Sequence, residues 1–258
     1  MAVNRRRFFQ LTGATALGVA GTRALPVKGE ERASGPARPA DKPLVGKRWA
    51  MAIDIAKCRE ETDCQDCIAA CHKAHNVPHF DNPKDEVKWI WKEPFEEALH
   101  DQSSAFQAEH LRDAHVLVFC NHCDNPPCTR VCPTGATWKR DDGVVMMDWH
   151  RCIGCRYCVA GCPYGSRSFN WRDPRPHVDE LTPDFPTRTR GVVEKCNLCE
   201  ERLSRGQGPA CVAACKGRAL IFGDLEDPES EIRKVLRDRP SVRRKVALGT
   251  QPQIYYLL

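Results

Sequence analysis

RCIGCRYCVAGCPYG runs from Arg151 to Gly165, and the spacing of its cysteines governs how the rest of the chain is read. Cys152, Cys155 and Cys158 are each separated by two residues, and Cys162 follows after three more with Pro163 behind it. Thiols so spaced on a tight loop do not readily reach each other with unstrained disulfide geometry. They can converge on one metal centre. Three close thiolates hold three irons of a [4Fe–4S] cubane, loop N–H groups donate to its sulfurs, and the fourth cysteine starts a helix that carries it to a neighbouring cluster. Proline after that cysteine suits a first helical turn, where a missing N–H costs little.

The same theme recurs upstream in CNHCDNPPCTRVCPTG, which holds Cys120, Cys123, Cys128 and Cys132. Between the two runs, Asp142-Gly143 predicts a turn and Val144–Met147 a short strand. This reads as one ferredoxin half-unit leading into the next, so the two groups form a two-cluster module. Two further groups remain: Cys58, Cys64, Cys67 and Cys71 in CREETDCQDCIAAC, and Cys196, Cys199, Cys211 and Cys215 in CNLCEERLSRGQGPACVAAC. They account for the rest of the 16 cysteines. Neither has a partner nearby, so they are expected to pair with each other, with one module inserted in the other.

The expected fold class is therefore α+β, two nested ferredoxin-like modules with loop-rich insertions. Residues 48–80 and 188–225 form the first module and 112–172 the second, with 81–111 as an insertion and 226–258 as a C-terminal extension.

Other uses of cysteine fit less well. Eight disulfides would suit an exported protein, but packed C-x2-C pairs argue against them. A zinc ribbon uses two C-x2-C pairs for one tetrahedral ion, and the fourth group alone has that look. Haem attachment needs C-x2-C-H, whereas Cys67, Cys71 and His72 give C-x3-C-H, one residue too long.

The 258 residues are 41% hydrophobic and only 7% aromatic, so cysteine-bound metal is expected to replace part of a core. A formal charge of +5 invites a nucleic-acid reading, which does not survive inspection. Residues 1–24 hold four of the 39 basic residues and none of the 34 acidic ones, leaving 35 against 34. Each cubane with its four thiolates adds about −2, so the loaded protein is acidic and no nucleic-acid partner is expected. No Ser-His-Asp pattern, P-loop or dinucleotide fingerprint appears, and no catalytic residue is assigned.

Asn4-Arg5-Arg6-Arg7-Phe8-Phe9-Gln10 precedes an apolar run from Leu11 to Gly21 that is too short to span a bilayer. The order resembles a twin-arginine signal over residues 1–24, with Arg5 and Arg6 as the pair. Residues 25–47, rich in Pro, Ala, Gly and charge from Glu30 to Pro43, read as a flexible linker. No later stretch is expected to cross a membrane.

VKWIW and HVLVF read as strands joined by a helical or irregular insertion. Asp227-Pro228 followed by Ile232, Val235 and Leu236 predicts a short amphipathic helix, and QIYYLL a closing strand. His72, His75 and His79 read as ordinary surface or loop residues. Tyr157 and Tyr164 are expected to pack over clusters.

CNHCDNPPCTRVCPTGA, DWHRCIGCRYCVAGCPYGSR and KCNLCEERLSRGQGPACVAAC together resemble the four-cluster ferredoxin subunits of polysulfide reductase, DMSO reductase, nitrite-linked and formate dehydrogenase systems, over about residues 48–258. The export signal and DCQDCIAACHKAHNVP are similar to the DsrO-type exported subunits of sulfur-metabolism complexes. The resemblance implies four [4Fe–4S] clusters with crossed ligation. Cys58, Cys64, Cys67 and Cys215 hold one, and Cys71, Cys196, Cys199 and Cys211 its neighbour. Cys120, Cys123, Cys128 and Cys162 hold a third, and Cys132, Cys152, Cys155 and Cys158 the fourth. Cys58 to Cys64 spans five residues instead of two, and His72 and Lys216 stand where proline is commoner.

The function implied is a periplasmic electron relay attached peripherally to the membrane, between an integral quinone-interacting subunit and another redox protein such as a multihaem cytochrome c. The alternative is the electron-transfer subunit of a molybdopterin oxidoreductase.

Overall fold

β1 (Trp49–Asp54) is buried along its whole length, because it lies inside a sheet and not at its edge. The computed structural model describes residues 42–60, 63–102, 106, 108–112 and 114–258. The twin-arginine motif, most of the expected linker and Glu61 lie outside the described residues. The linker's last residues are tied down: Leu44 N–H donates to the Leu203 carbonyl, and Lys47 N–H to Asp224.

Among the described residues nine further strands follow in chain order: β2 (Ile90–Pro94), β3 (His115–Phe119), β4 (Thr137–Lys139), β5 (Val145–Met147), β6 (Ser168–Phe169), β7 (Val193–Glu194), β8 (Leu220–Asp224), β9 (Ser241–Val242) and β10 (Ile254–Leu257). One sheet has the order β8-β1-β10-β9. β8 runs antiparallel to β1 and β10 parallel to it, with Met51 opposite both Phe222 and Ile254. The closing strand thus sits inside the sheet, between β1 and β9.

Alternation along β1 divides two apolar layers. Trp49, Met51 and Ile53 join Trp89, Leu117, Leu198 and Tyr256 in the main core. Ala50 and Ala52 face the other way and meet Ile221, Leu257 and Ile232. Ile232 belongs to the helix Glu231–Asp238, the one predicted from its apolar spacing. Small residues let that helix come close: a Cβ added at Gly223 would lie 3.0 Å from Ile232 Cγ2. Burying Ile232 stabilises by roughly 2 kcal/mol.

Three two-stranded ladders carry the remaining loops. β2 and β3 pair antiparallel, with Ile90 opposite Phe119. β2 begins three residues later than VKWIW suggests, because Lys88 N–H donates to Ser168 Oγ and Trp89 Nε1 to Glu194, outside any ladder. β4 and β5 form the expected hairpin, whose turn needs the positive φ of Gly143, +86°. β6 and β7 pair Phe169 with Val193, which sets the exit of the third cysteine group beside the entrance to the fourth. Among the described residues no helix is long and apolar enough to cross a membrane.

Candidate metal centres

The cysteines lie on loops and short helices that the strands hold in place. β1 leads directly into the short helix Ile55–Glu60, which carries Cys58, and then into the helix Asp66–Ala74, which carries Cys67 and Cys71. The helix Ala210–Ala214 packs against that second helix before the chain enters β8. Pairing of β1 with β8 therefore draws the first and fourth cysteine groups together. β3 ends one residue before Cys120, and the β4–β5 hairpin returns the chain from Cys132 towards Cys152.

Three pockets are each lined by four thiols. One has Cys58, Cys64, Cys67 and Cys215, with Lys57, Lys92 and Lys216 at its rim. The second has Cys120, Cys123, Cys128 and Cys162, with Tyr164 and Arg167. The third has Cys132, Cys152, Cys155 and Cys158, with Ile153 and Arg156. Cys71, Cys196, Cys199 and Cys211 form a fourth group, close enough for their charges to act on one another. Every group mixes cysteines from two sequence runs.

The four sets also follow one another in space. Charge at Cys67 is felt at Cys71 and Cys211, charge at Cys120 at Cys196, and charge at Cys128 at Cys158. The two end sets are the more open: Cys58, Cys64 and Cys215 at one end, and Cys132, Cys152 and Cys155 at the other, are half-buried. Each middle set has three buried cysteines.

Local backbone geometry explains several placements. Leu198 and Cys199 adopt positive φ, and Leu198 N–H donates to Cys196 Sγ at 3.4 Å. Ala210 N–H donates to Cys199 Sγ at 3.3 Å, and Ala219 N–H to Cys215 Sγ at 3.2 Å. Gly154 has φ +69°, and a Cβ there would collide with the Gly191 carbonyl oxygen. Only glycine fits.

The donor set suits iron–sulfur chemistry. All sixteen thiols are free, and sulfur is the shared donor of every set. Among the described residues no three of these sulfurs lie within 4.8 Å of one another. A single tetrahedral zinc holds its thiolates about 3.8 Å apart, given Zn–S bonds near 2.3 Å. The wider spacing fits a larger group. Burial pushes the thiols of Cys67 up to about 11 and of Cys123 and Cys196 up to about 12, and raises Cys71, Cys199 and Cys211 strongly. Loading metal there releases protons, since thiolates are the ligands. Cys132 runs the other way, since hydrogen bonds from Thr134 and from backbone N–H groups outweigh its burial, and so does Cys120. Burial alone would raise it, but Lys195, His122 and Arg167 outweigh burial and bring it down to about 5.

Two aromatic or histidine expectations need correction. His75 is not a surface residue: it is 1% exposed and stacks on Trp89 at 4.7 Å. Its Nδ1 donates to the Cys71 carbonyl at 2.8 Å, and its Nε2 faces Glu201 Oε1 at 2.9 Å. Tyr157 does not pack over a centre but projects outward, 64% exposed, whereas Tyr164 is buried beside Cys123 and Cys162. His79 is exposed, as expected, while His72 is half-buried. Sequence reasoning also passed over Arg167 and Lys195, both buried beside thiols. Their only signal was position, one closing CPYGSR and the other preceding Cys196.

Residues 115–176 and 183–225 match the 4Fe-4S dicluster domain. The chain is 39% identical to an Hdr-like menaquinol oxidoreductase iron–sulfur subunit from Archaeoglobus fulgidus, over 98% of this chain and 97% of that one. It is 37% identical to the iron–sulfur subunit of a dimethyl sulfoxide reductase, itself a provisional assignment, from Halobacterium salinarum, over 81% and 78%. It is 36% identical to the iron–sulfur cluster-binding subunit of a menaquinone reductase from Nitratidesulfovibrio vulgaris, over 81% and 88%. The chain belongs to the ferredoxin-type iron–sulfur subunits of the polysulfide and dimethyl sulfoxide reductase family, whose role is electron transfer and not catalysis.

Proposed function

We propose that this member of the family carries four [4Fe–4S] clusters and relays single electrons from one end of the chain to the other. The ligand sets are those of the crossed pattern, with two ferredoxin-like modules nested one in the other. The observation that carries the reading is that four sets of four thiols, each drawn from two sequence runs, follow one another through the fold. A cluster held by such a set takes up and gives up one electron. The protein's own part is to separate the sets and dry them. Buried cysteines in the two middle sets keep water away, and backbone N–H groups donate to Cys196, Cys199 and Cys215. The half-buried end sets supply the entry and exit.

The proposed setting is the outer face of the cytoplasmic membrane, reached by twin-arginine export through Arg5 and Arg6. The proposed partners are an integral quinone-interacting subunit and a second redox protein, with a multihaem cytochrome c as its candidate. The names of two relatives include menaquinol or menaquinone, which supports the quinone side. A sulfur-metabolism complex of the DsrO type is the preferred assignment. Likeness to a dimethyl sulfoxide reductase subunit supports the second reading, a partner to a molybdopterin oxidoreductase. Mild-detergent purification of the native complex separates the two. Recovery with an integral quinone-binding chain and haem supports the first reading; recovery with a molybdopterin-containing chain replaces it with the second.

A further inference from the structure

We propose that the buried guanidinium of Arg167, assisted by the Lys195 ammonium, makes the centre at Cys120, Cys123, Cys128 and Cys162 the most readily reduced of the four. The inference rests on the reading that each set holds a cluster. Arg167 is 4% exposed, and its Nη2 lies 3.1 Å from Cys128 Sγ and 2.8 Å from Thr137 Oγ1. Its Nη1 faces Met147 Sδ at 3.7 Å. Among the described residues no carboxylate pairs with it. Lys195 is 1% exposed, and its Nζ donates to the carbonyls of Val145 and Cys196, again with no carboxylate partner among the described residues. Arg167 therefore finds its counter-charge in the Cys128 sulfur; burial lowers the Lys195 pKa, and the nearby Cys120 and Cys196 thiolates work against that loss.

Among the described residues no other set has a buried guanidinium against its sulfur, although Lys195 also acts on Cys196 of the set with Cys71 and Cys199. The set with Cys71 and Cys199 has the Glu201 carboxylate nearby, itself engaged with His75. Of the lysines lining the Cys58 set, Lys57 and Lys216 are exposed, with Lys216 facing Asp66 at 2.7 Å, and Lys92 is only half-buried, its Nζ donating to the Cys64 carbonyl at 2.8 Å. Arg156, beside the Cys132 set, is exposed and lies over the rings of Phe169 and Trp171. Exposed charges are screened by salt and buried ones far less. One-electron reduction adds a negative charge to the centre. A fixed positive charge in a medium of low polarity favours that step, and arginine keeps its charge throughout the usable pH range.

The test is a redox titration of the holoprotein with dithionite and mediators, followed by low-temperature EPR and accompanied by iron counting. Arg167→Met removes the charge at similar side-chain length. It should lower the highest of the midpoint potentials by at least about 59 mV, a tenfold loss in a one-electron reduction constant, while the others hold. Arg167→Lys should restore most of the loss, and Lys195→Met should lower the same midpoint. Parental iron content in these variants separates this claim from the cluster reading, which fails if the parent protein itself lacks the iron. An unmoved highest midpoint, or a common shift of every midpoint, overturns the proposal. Should Arg167→Met lose iron, the parent protein decides. Raising salt to about 1 M should leave its highest midpoint in place while those of the exposed end sets move. Equal movement of the highest midpoint overturns the proposal.

Discussion

Ile53 and Leu220 sit opposite each other in the antiparallel β1–β8 pair. Cys58 lies five residues beyond the first and Cys215 five before the second, so this one pairing delivers both thiols to the same pocket. The ligand geometry depends on a contact between segments more than 150 residues apart in sequence.

Anaerobically purified protein is expected to contain about sixteen irons and about sixteen acid-labile sulfides, four of each per cubane. Elemental analysis checks this. Stoichiometric zinc with little iron would falsify the cluster reading, and about twelve irons would mean that one set holds something else.

Export is expected to depend on the arginine pair. Replacing Arg5 and Arg6 together by Lys should leave cluster-loaded protein in the cytoplasm, since the paired arginines are the address. Cell fractionation reads the outcome, and normal periplasmic accumulation of the double variant removes the assignment.

Five residues separate Cys58 from Cys64 on their loop where ferredoxin spacing has two, and the Cys58 centre is expected to be the first lost on exposure to oxygen. The acidic residues Glu60 and Asp63 on that loop are offset by Lys57 and Lys92 at the pocket. Cys58→Ala should therefore act through the missing ligand, with iron loss confined to this centre and the Cys120–Cys162 pair of sets intact. Iron counting and EPR beside the parent protein test it. Four unchanged centres would show that Cys58 is not a ligand.

Gly154→Ala forces a Cβ against the Gly191 carbonyl at a residue with φ +69°. The loop between Cys152 and Cys155 must then shift, and the expected result is loss of about four irons, one cubane's complement. Unchanged iron content and EPR spectra would show that the loop tolerates the displacement.

Ile232→Ala provides the contrasting case, because Ile232 fills the layer on the far side of the sheet from most of the cysteines. A loss of about 2–4 kcal/mol in stability is expected from the cavity, with the full iron complement retained when the protein is folded. Denaturant unfolding and iron analysis together distinguish this from a metal-site defect.

The residues that sequence reasoning missed share one trait. Arg167, Lys195 and His75 are polar residues in polar-looking segments, and nothing in their neighbours announces burial. Arg167 is buried because β6 pairs with β7 and the β4–β5 hairpin brings Thr137 against it. His75 is buried because Trp89 and Phe185, distant in sequence, stack around it. The predicted strand at VKWIW began late for the same reason: Glu194 and Ser168, both remote, take the polar groups of Lys88 and Trp89.

Sequence alone determined the chemistry: sixteen thiols in four runs, ferredoxin spacing at Cys152–Cys162, and the turn at Asp142-Gly143 that closes a hairpin. These are local matters, set by how few residues separate a ligand from its neighbour and by which residue tolerates a positive φ. Tertiary structure decided which runs meet, which centres are dry and which cations lie buried beside them. Those outcomes depend on β1 being enclosed by β8 and β10. That enclosure is driven by burial of apolar faces drawn from both ends of the chain, and no short stretch of sequence encodes it.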